Sequence, residues 1–124
     1  MAKILVAEDE RDIRDLIAFT LRFSGFDVVT VTNGEEAVEA APVEMPDLIL
    51  MDGRMPKMTG YEACTKMKEI PAIAHIPVVF LSAKGQENEI RAGLDAGAEE
   101  YLLKPFAPDE LTQKVRAILA RVGK

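Results

Sequence analysis

The chain has one cysteine and one histidine among 124 residues. Cys64 has no partner for an internal disulfide, and Cys64 with His75 falls short of the Cys/His set that holds zinc. A disulfide-stapled secreted scaffold is thereby excluded, and a reducing cytoplasm is the expected setting. A surplus of positive charge is also missing: Lys and Arg number 15 against 21 Asp and Glu, a net charge of −6. Phosphate backbones are held by clustered Lys and Arg, so direct nucleic-acid binding by this chain is not expected. Long apolar runs are absent too. Ile4 to Ala7 is far too short for a signal-peptide core or a membrane span, so neither secretion nor membrane insertion is expected. Low-complexity tracts, linkers and internal repeats beyond a strand–helix alternation are lacking, which leaves a single domain over residues 1–124 as the expectation.

What is present suits a folded domain of ordinary size. Hydrophobic residues make up 48% and charged residues 29%, far from the composition of a disordered chain and enough for a core without a structural metal. Five short apolar runs read as strands: Ile4–Ala7, Val28–Val31, Leu48–Met51, Val78–Leu81 and Tyr101–Leu103. Helix-periodic stretches fill the gaps. Ile13, Leu16, Ile17 and Leu21 share one helical face, as do Leu111, Val115, Ile118, Leu119 and Val122. Asn33 followed by Glu36 resembles a capping box at the second helix. The third helix follows Gly60, turns Ala63, Met67 and Ile70 inward and stops before Pro71. The fourth, about Gln86 to Ala96, has Gly93 in its interior and only Ile90 and Leu94 as large apolar anchors, which makes it the most easily displaced. Pro108 suits the first position of the last helix, with Asp109 and Glu110 near its positive end.

Strict alternation of strand and helix implies right-handed crossovers and a parallel sheet with helices on both faces. The first, third and fourth runs are the most continuously apolar and belong in the centre; the second and fifth belong at the edges. The expected fold is α/β, a (βα)5 doubly wound sheet in strand order 2-1-3-4-5.

In such a sheet the ligand site lies at the carboxyl ends of the strands, where the order reverses, here between strands one and three. Glu8-Asp9-Glu10 follow the first strand, Asp52 the third, Ser82 the fourth, and Lys104-Pro105 the fifth. Taken singly, these residues make turns, caps and solvated charges. Their convergence on one rim alters that reading. Carboxylates from Glu8, Asp9 and Asp52 crowded together repel one another unless a cation joins them, and with no soft ligand at hand a hard divalent ion such as Mg2+ fits. A carboxylate nucleophile, a hydroxyl from Ser82 and an ammonium from Lys104 are the parts that phosphoryl transfer requires.

The motifs then resemble, in order and spacing, those of the response-regulator receiver domains of two-component signalling, the CheY-like family, over nearly the whole chain from Lys3 to about Arg121. They are Ile4-Leu5-Val6-Ala7-Glu8-Asp9-Glu10, Pro46 through Asp52 with Met55-Pro56 and Thr59-Gly60, Leu81-Ser82-Ala83-Lys84, Gly97-Ala98 and Lys104-Pro105-Phe106. The resemblance implies that Asp52 is the phosphoacceptor, that Asp9, Asp52 and the backbone carbonyl of Arg54 ligate Mg2+, and that Glu8 acts through a metal-bound water. It implies that Ser82 and Tyr101 form a hydroxyl–aromatic switch pair, that Lys104 meets the phosphoryl group, and that the peptide bond before Pro105 is cis. It implies a sensor histidine kinase or phosphotransfer protein as donor, and catalysis only of the chain's own phosphorylation and dephosphorylation. Output would pass through the fourth helix, fifth strand and fifth helix. Glu99, Glu100, Lys114 and Arg121 there resemble part of a charged dimer surface, although Ile90 stands where a basic residue is usual.

Two departures from the family pattern matter. Glu8 stands where Asp is commoner. Arg54 and Lys84 place long cations near the path of an attacking water, which would shield an acyl phosphate. Two alternatives rank lower. A Mg2+-dependent phosphatase of the haloacid dehalogenase type wants Asp-x-Asp on the nucleophile strand, whereas here the run is Asp52-Gly53-Arg54. A flavodoxin-like flavin binder would have its phosphate repelled by the acidic loop after the first strand. Cys64 reads as a small packing residue on the third helix.

Overall fold

The computed structural model describes residues 2–83, 87–104 and 106–123, with the side chains of Ser82 and Ala83 left aside. Ten elements alternate along the chain: β1 (Lys3–Ala7), α1 (Arg11–Phe23), β2 (Asp27–Val31), α2 (Gly34–Glu44), β3 (Leu48–Asp52), α3 (Gly60–Lys68), β4 (Val78–Ala83), α4 (Glu87–Asp95), β5 (Glu100–Lys104) and α5 (Pro108–Arg121). The five strands form one parallel sheet in the order β2-β1-β3-β4-β5, as the apolar content of the strands implies.

Alternate residues of the central strands feed two cores. Leu5, Ala7, Ile49, Met51, Val78 and Phe80 pack with Ala37, Ala41, Ala63, Cys64 and Met67 of α2 and α3. Ile4, Val6, Leu48, Leu50, Val79 and Leu81 pack with Ile17 and Leu21 of α1 and with Leu111, Val115, Ile118 and Leu119 of α5. Burial on both sides explains why β1 and β3 read as unbroken apolar runs.

The helix ends follow from local chemistry. The Asn33 side chain accepts from the amide of Glu36 at 2.8 Å, but the Glu36 carboxylate turns to the amide and hydroxyl of Thr32, so the expected box at α2 is half formed. A complete box opens α3 instead: Thr59 Oγ1 accepts from the Glu62 amide and the Glu62 carboxylate accepts from the Thr59 amide. Pro108 is the first residue of α5, and the Glu110 carboxylate accepts from the Ala107 amide. The third helix ends at Lys68, short of Pro71.

Three apolar residues lie elsewhere than their periodicity implies. Leu16 is exposed, because Ile17, Ala18 and Leu21 form the inward stripe of α1. Val122 caps α5 from outside and is exposed. Leu94 of α4 is exposed as well, and the buried positions of that helix are Glu89 and Gly93. The reason is close approach: a Cβ on residue 93 would lie 2.8 Å from Cδ2 of Phe80, so the glycine lets the helix settle on that ring and rotates Leu94 outward.

Candidate functional site

Glu8 and Asp9 follow β1, Asp52 ends β3, Ser82 lies near the end of β4, and Lys104 ends β5. Register brings them level: Asp52 pairs with Leu81, and Ala83 pairs with Lys104. The turn after β1 is pinned by the Glu8 amide donating to the carbonyl of Val31 at 3.1 Å and by the Arg14 guanidinium donating to the carbonyl of Glu8 at 3.0 Å. The loop after β3 closes where the Gly60 amide donates to the carbonyl of Gly53 at 3.1 Å.

Carboxylate oxygens of Glu8, Asp9 and Asp52 lie within 4.8 Å of one another. Asp9 is exposed, whereas Glu8 and Asp52 are buried. Lys104 Nζ donates to Glu8 Oε1 at 3.0 Å and stands 3.5 Å from Asp52 Oδ2. Glu8 Oε2 accepts from the amide of Glu10 at 3.2 Å, so both oxygens of Glu8 already have protein partners. Asp52 Oδ1 accepts from the amide of Arg54 at 3.3 Å.

The electrostatics follow from this crowding. Burial, then the negative charge of Asp52, push Glu8 from 4.5 up to about 7, against the opposing pull of Lys104. Burial works to lower Lys104, but the charge of Asp52 and the hydrogen bond to Glu8 outweigh it and raise the ammonium above its ordinary range. Among the described residues Lys104 is the cation paired with these acids, and one ammonium does not offset three carboxylates. The site favours a further hard cation, and its donors are all oxygens, which suits Mg2+.

Of the residues singled out from sequence, Glu8, Asp9, Asp52 and Lys104 converge as expected. The backbone of Ser82 lies on the same rim, while its hydroxyl, together with Lys84 and Pro105, falls outside the described residues. Tyr101 on β5 is half-buried against the core shared by α2 and α3. The Arg54 side chain does not lie over the acceptor: its guanidinium pairs with the buried carboxylate of Glu89 on α4. Tyr61 was not anticipated either. Its ring packs on Phe80 with centroids 5.1 Å apart, and ring and hydroxyl fill the space where a side chain at Gly53 would stand. Glu89 and Gly93, spaced i, i+4, were the sequence signal for an inward polar position on α4.

The response regulator receiver domain model matches residues 4–116. The chain belongs to that family. This receiver domain is 42% identical over 119 residues to the alkaline phosphatase synthesis transcriptional regulatory protein PhoP of Bacillus subtilis, covering 96% of this chain and 49% of that protein. It is 36% identical over 121 residues to the phosphate regulon transcriptional regulatory protein PhoB of Rhizobium meliloti, covering 98% and 53%. The chain thus spans about half the length of these relatives. Among solved structures, the chemotaxis response regulator CheY4 of Vibrio cholerae superposes with a TM-score of 0.89 at 30% identity, covering 95% of this chain and 98% of that one. The receiver domain of sensor histidine kinase PA1611 from Pseudomonas aeruginosa, with a magnesium ion coordinated in its active-site cleft, gives 0.90 at 31%, covering 96% and 98%. As a receiver domain the chain is a signalling switch of the response-regulator type, and family membership decides against the phosphatase and flavin readings. Among the described residues no helix is long and apolar enough to cross a membrane.

Proposed function

We propose that Asp52 accepts a phosphoryl group from a sensor histidine kinase or phosphotransfer protein and that residues 1–124 act as one receiver unit in the cytoplasm. The observation that carries this reading is Lys104, whose ammonium is shared between buried Glu8 and Asp52 at 3.0 and 3.5 Å. An Asp52 oxygen attacks the phosphorus, the bond from phosphorus to the donor nitrogen breaks, and negative charge gathers on the phosphoryl oxygens. Lys104 is already beside Asp52 to meet that charge, and Ser82 would supply a hydroxyl as a second donor.

Asp9, Asp52 and the backbone carbonyl of Arg54 would hold Mg2+, with Glu8 acting through a metal-bound water because both its oxygens have protein partners. When bound, the ion neutralises the acids and orients the phosphoryl oxygens. Rearrangement of Ser82 with Tyr101 then shifts populations at α4, β5 and α5. The chain turns over no external substrate and catalyses only its own phosphorylation and dephosphorylation. A phosphorylation-linked homodimer through that face belongs to the same reading. Glu100 there pairs within the chain with Lys114 at 3.7 Å and Arg121 at 3.5 Å, pairs that a second copy would exchange. Labelling of Asp52 by a small phosphodonor tests the reading.

A further inference from the structure

The helix α4 is anchored in an unusual way. Its buried residues are Glu89 and Gly93, so a carboxylate and a glycine occupy the places where two large apolar side chains would normally hold a helix to its sheet. The Glu89 side chain is only 7% exposed, while that of its partner Arg54 is 70% exposed. The cation therefore approaches from the solvent side, from the loop that carries the phosphoacceptor. Arg54 is two residues beyond Asp52, and its amide already donates to the Asp52 carboxylate.

Among the described residues, Arg54 is the cation paired with Glu89. Tyr61 lies beside it with a buried hydroxyl that has no hydrogen-bond partner among the described residues. Burial, followed by the charge of Glu89, raises the Tyr61 pKa. Phe80 closes the floor beneath Gly93 and against Tyr61. A buried carboxylate deprived of its cation in such surroundings is strongly disfavoured.

We infer that Arg54 is a second phosphoryl-binding cation, held in reserve by Glu89, and that its transfer to phosphorylated Asp52 releases α4. A phosphoryl group presents about two negative charges and three acceptor oxygens, which a guanidinium can engage through paired hydrogen bonds. Glu89 offers one negative charge. Once Arg54 leaves, Glu89 stays buried with no other cation paired to it among the described residues, and the helix that carries it has only half-buried Ile90, and no fully buried large apolar side chain, to keep it seated. Arg54 is thus a positioning residue for α4 in the free protein and a phosphoryl ligand in the phosphorylated one. This inference rests on Asp52 as acceptor and adds a link to α4 separate from Ser82 and Tyr101.

Hydrogen exchange of the peptide spanning α4, read by mass spectrometry with and without acetyl phosphate and Mg2+, tests it, with intact mass reporting phosphoryl occupancy in each sample. In the unphosphorylated protein, Arg54→Gln should speed α4 exchange about tenfold, Arg54→Lys should restore part of the protection, and Glu89→Gln should change it little. Phosphorylation should speed α4 exchange in wild type and leave it nearly unchanged in Glu89→Gln. Equal α4 exchange in unphosphorylated wild type and Arg54→Gln would overturn the tether. Equal loosening of α4 by phosphorylation in wild type and Glu89→Gln would overturn the transfer. A wild type that gains no phosphoryl mass would instead count against Asp52 as acceptor, and the unphosphorylated comparison would still decide whether Arg54 holds α4.

Discussion

Lys104 Nζ stands 3.0 Å from Oε1 of Glu8, a carboxylate with no exposed surface, and the same ammonium is 3.5 Å from Asp52. One cation from β5 therefore stabilises an acid just after β1 and another at the end of β3. Removing it leaves two buried carboxylates in mutual repulsion. Lys104→Ala should lower the urea midpoint at pH 7 by an amount worth about 1–2 kcal/mol, less than for a fully dry pair because the Lys104 side chain is 21% exposed. An unchanged midpoint would show that the ammonium contributes nothing to the fold.

Glu8 links the site to pH. Its pKa is raised to about 7, so below that value the metal-free protein holds a proton there, and above it the full negative charge is available to a cation. Mg2+ affinity should therefore fall as pH drops from 8 through 7 to 6, with proton release on binding at the lower pH. Titration calorimetry in two buffers of different ionisation enthalpy measures both. Glu8→Gln should flatten the pH dependence; a wild-type affinity constant across this range would contradict the assignment.

Arg54 is expected to influence the lifetime of the phosphoryl group. An Arg54 side chain drawn to phosphorylated Asp52 would shield it from water, so Arg54→Asn should hasten phosphoryl loss severalfold. Decay followed by intact mass after removal of the donor gives the rates, and identical rates in the two proteins would remove the shielding role.

Gly53 and Tyr61 make a steric pair. A Cβ on residue 53 would collide with the Tyr61 ring and hydroxyl, so Gly53→Ala should destabilise by about 1–3 kcal/mol, as overpacking does. In a Tyr61→Leu background that cost should largely disappear. A double-mutant cycle from chemical denaturation reads the difference, and additive effects would mean that the two residues do not share the space.

Much of this was legible from the residues in order. The strands are apolar because they are buried on both faces, and that property also ranks them from centre to edge. The acids, Lys104 and the rim position of Ser82 follow from the topology once the strand order is known. The surroundings of Arg54 were not legible, because they depend on how α4 is rotated. Periodicity favours Ile90 and Leu94 as anchors; Ile90 is half-buried, but the close approach of Gly93 to Phe80 turns Leu94 outward and Glu89 inward. The capping box of α3 was present in the sequence as Thr59-x-x-Glu62 and was detectable by the same rule applied at Asn33.

Cys64 supplies a check on the core. Its thiol is buried, donates to the carbonyl of Ala96 at 3.4 Å, and is pushed by burial from 9.0 up to about 11. Native protein at pH 8 should react with iodoacetamide far more slowly than unfolded protein. Because the raised value favours the protonated thiol in the fold, stability present below about pH 9 should decline toward pH 11, by up to about 2 kcal/mol, and Cys64→Ala should remove that part of the decline. Rapid alkylation of the native protein would contradict the burial.

The most direct measurement is intact mass after incubation with acetyl phosphate and Mg2+, with Asp52→Asn alongside. The expected result is a single added phosphoryl group in the wild type, dependent on Mg2+ and absent from Asp52→Asn. No added mass in the wild type, or equal labelling of Asp52→Asn, would contradict Asp52 as the phosphoacceptor.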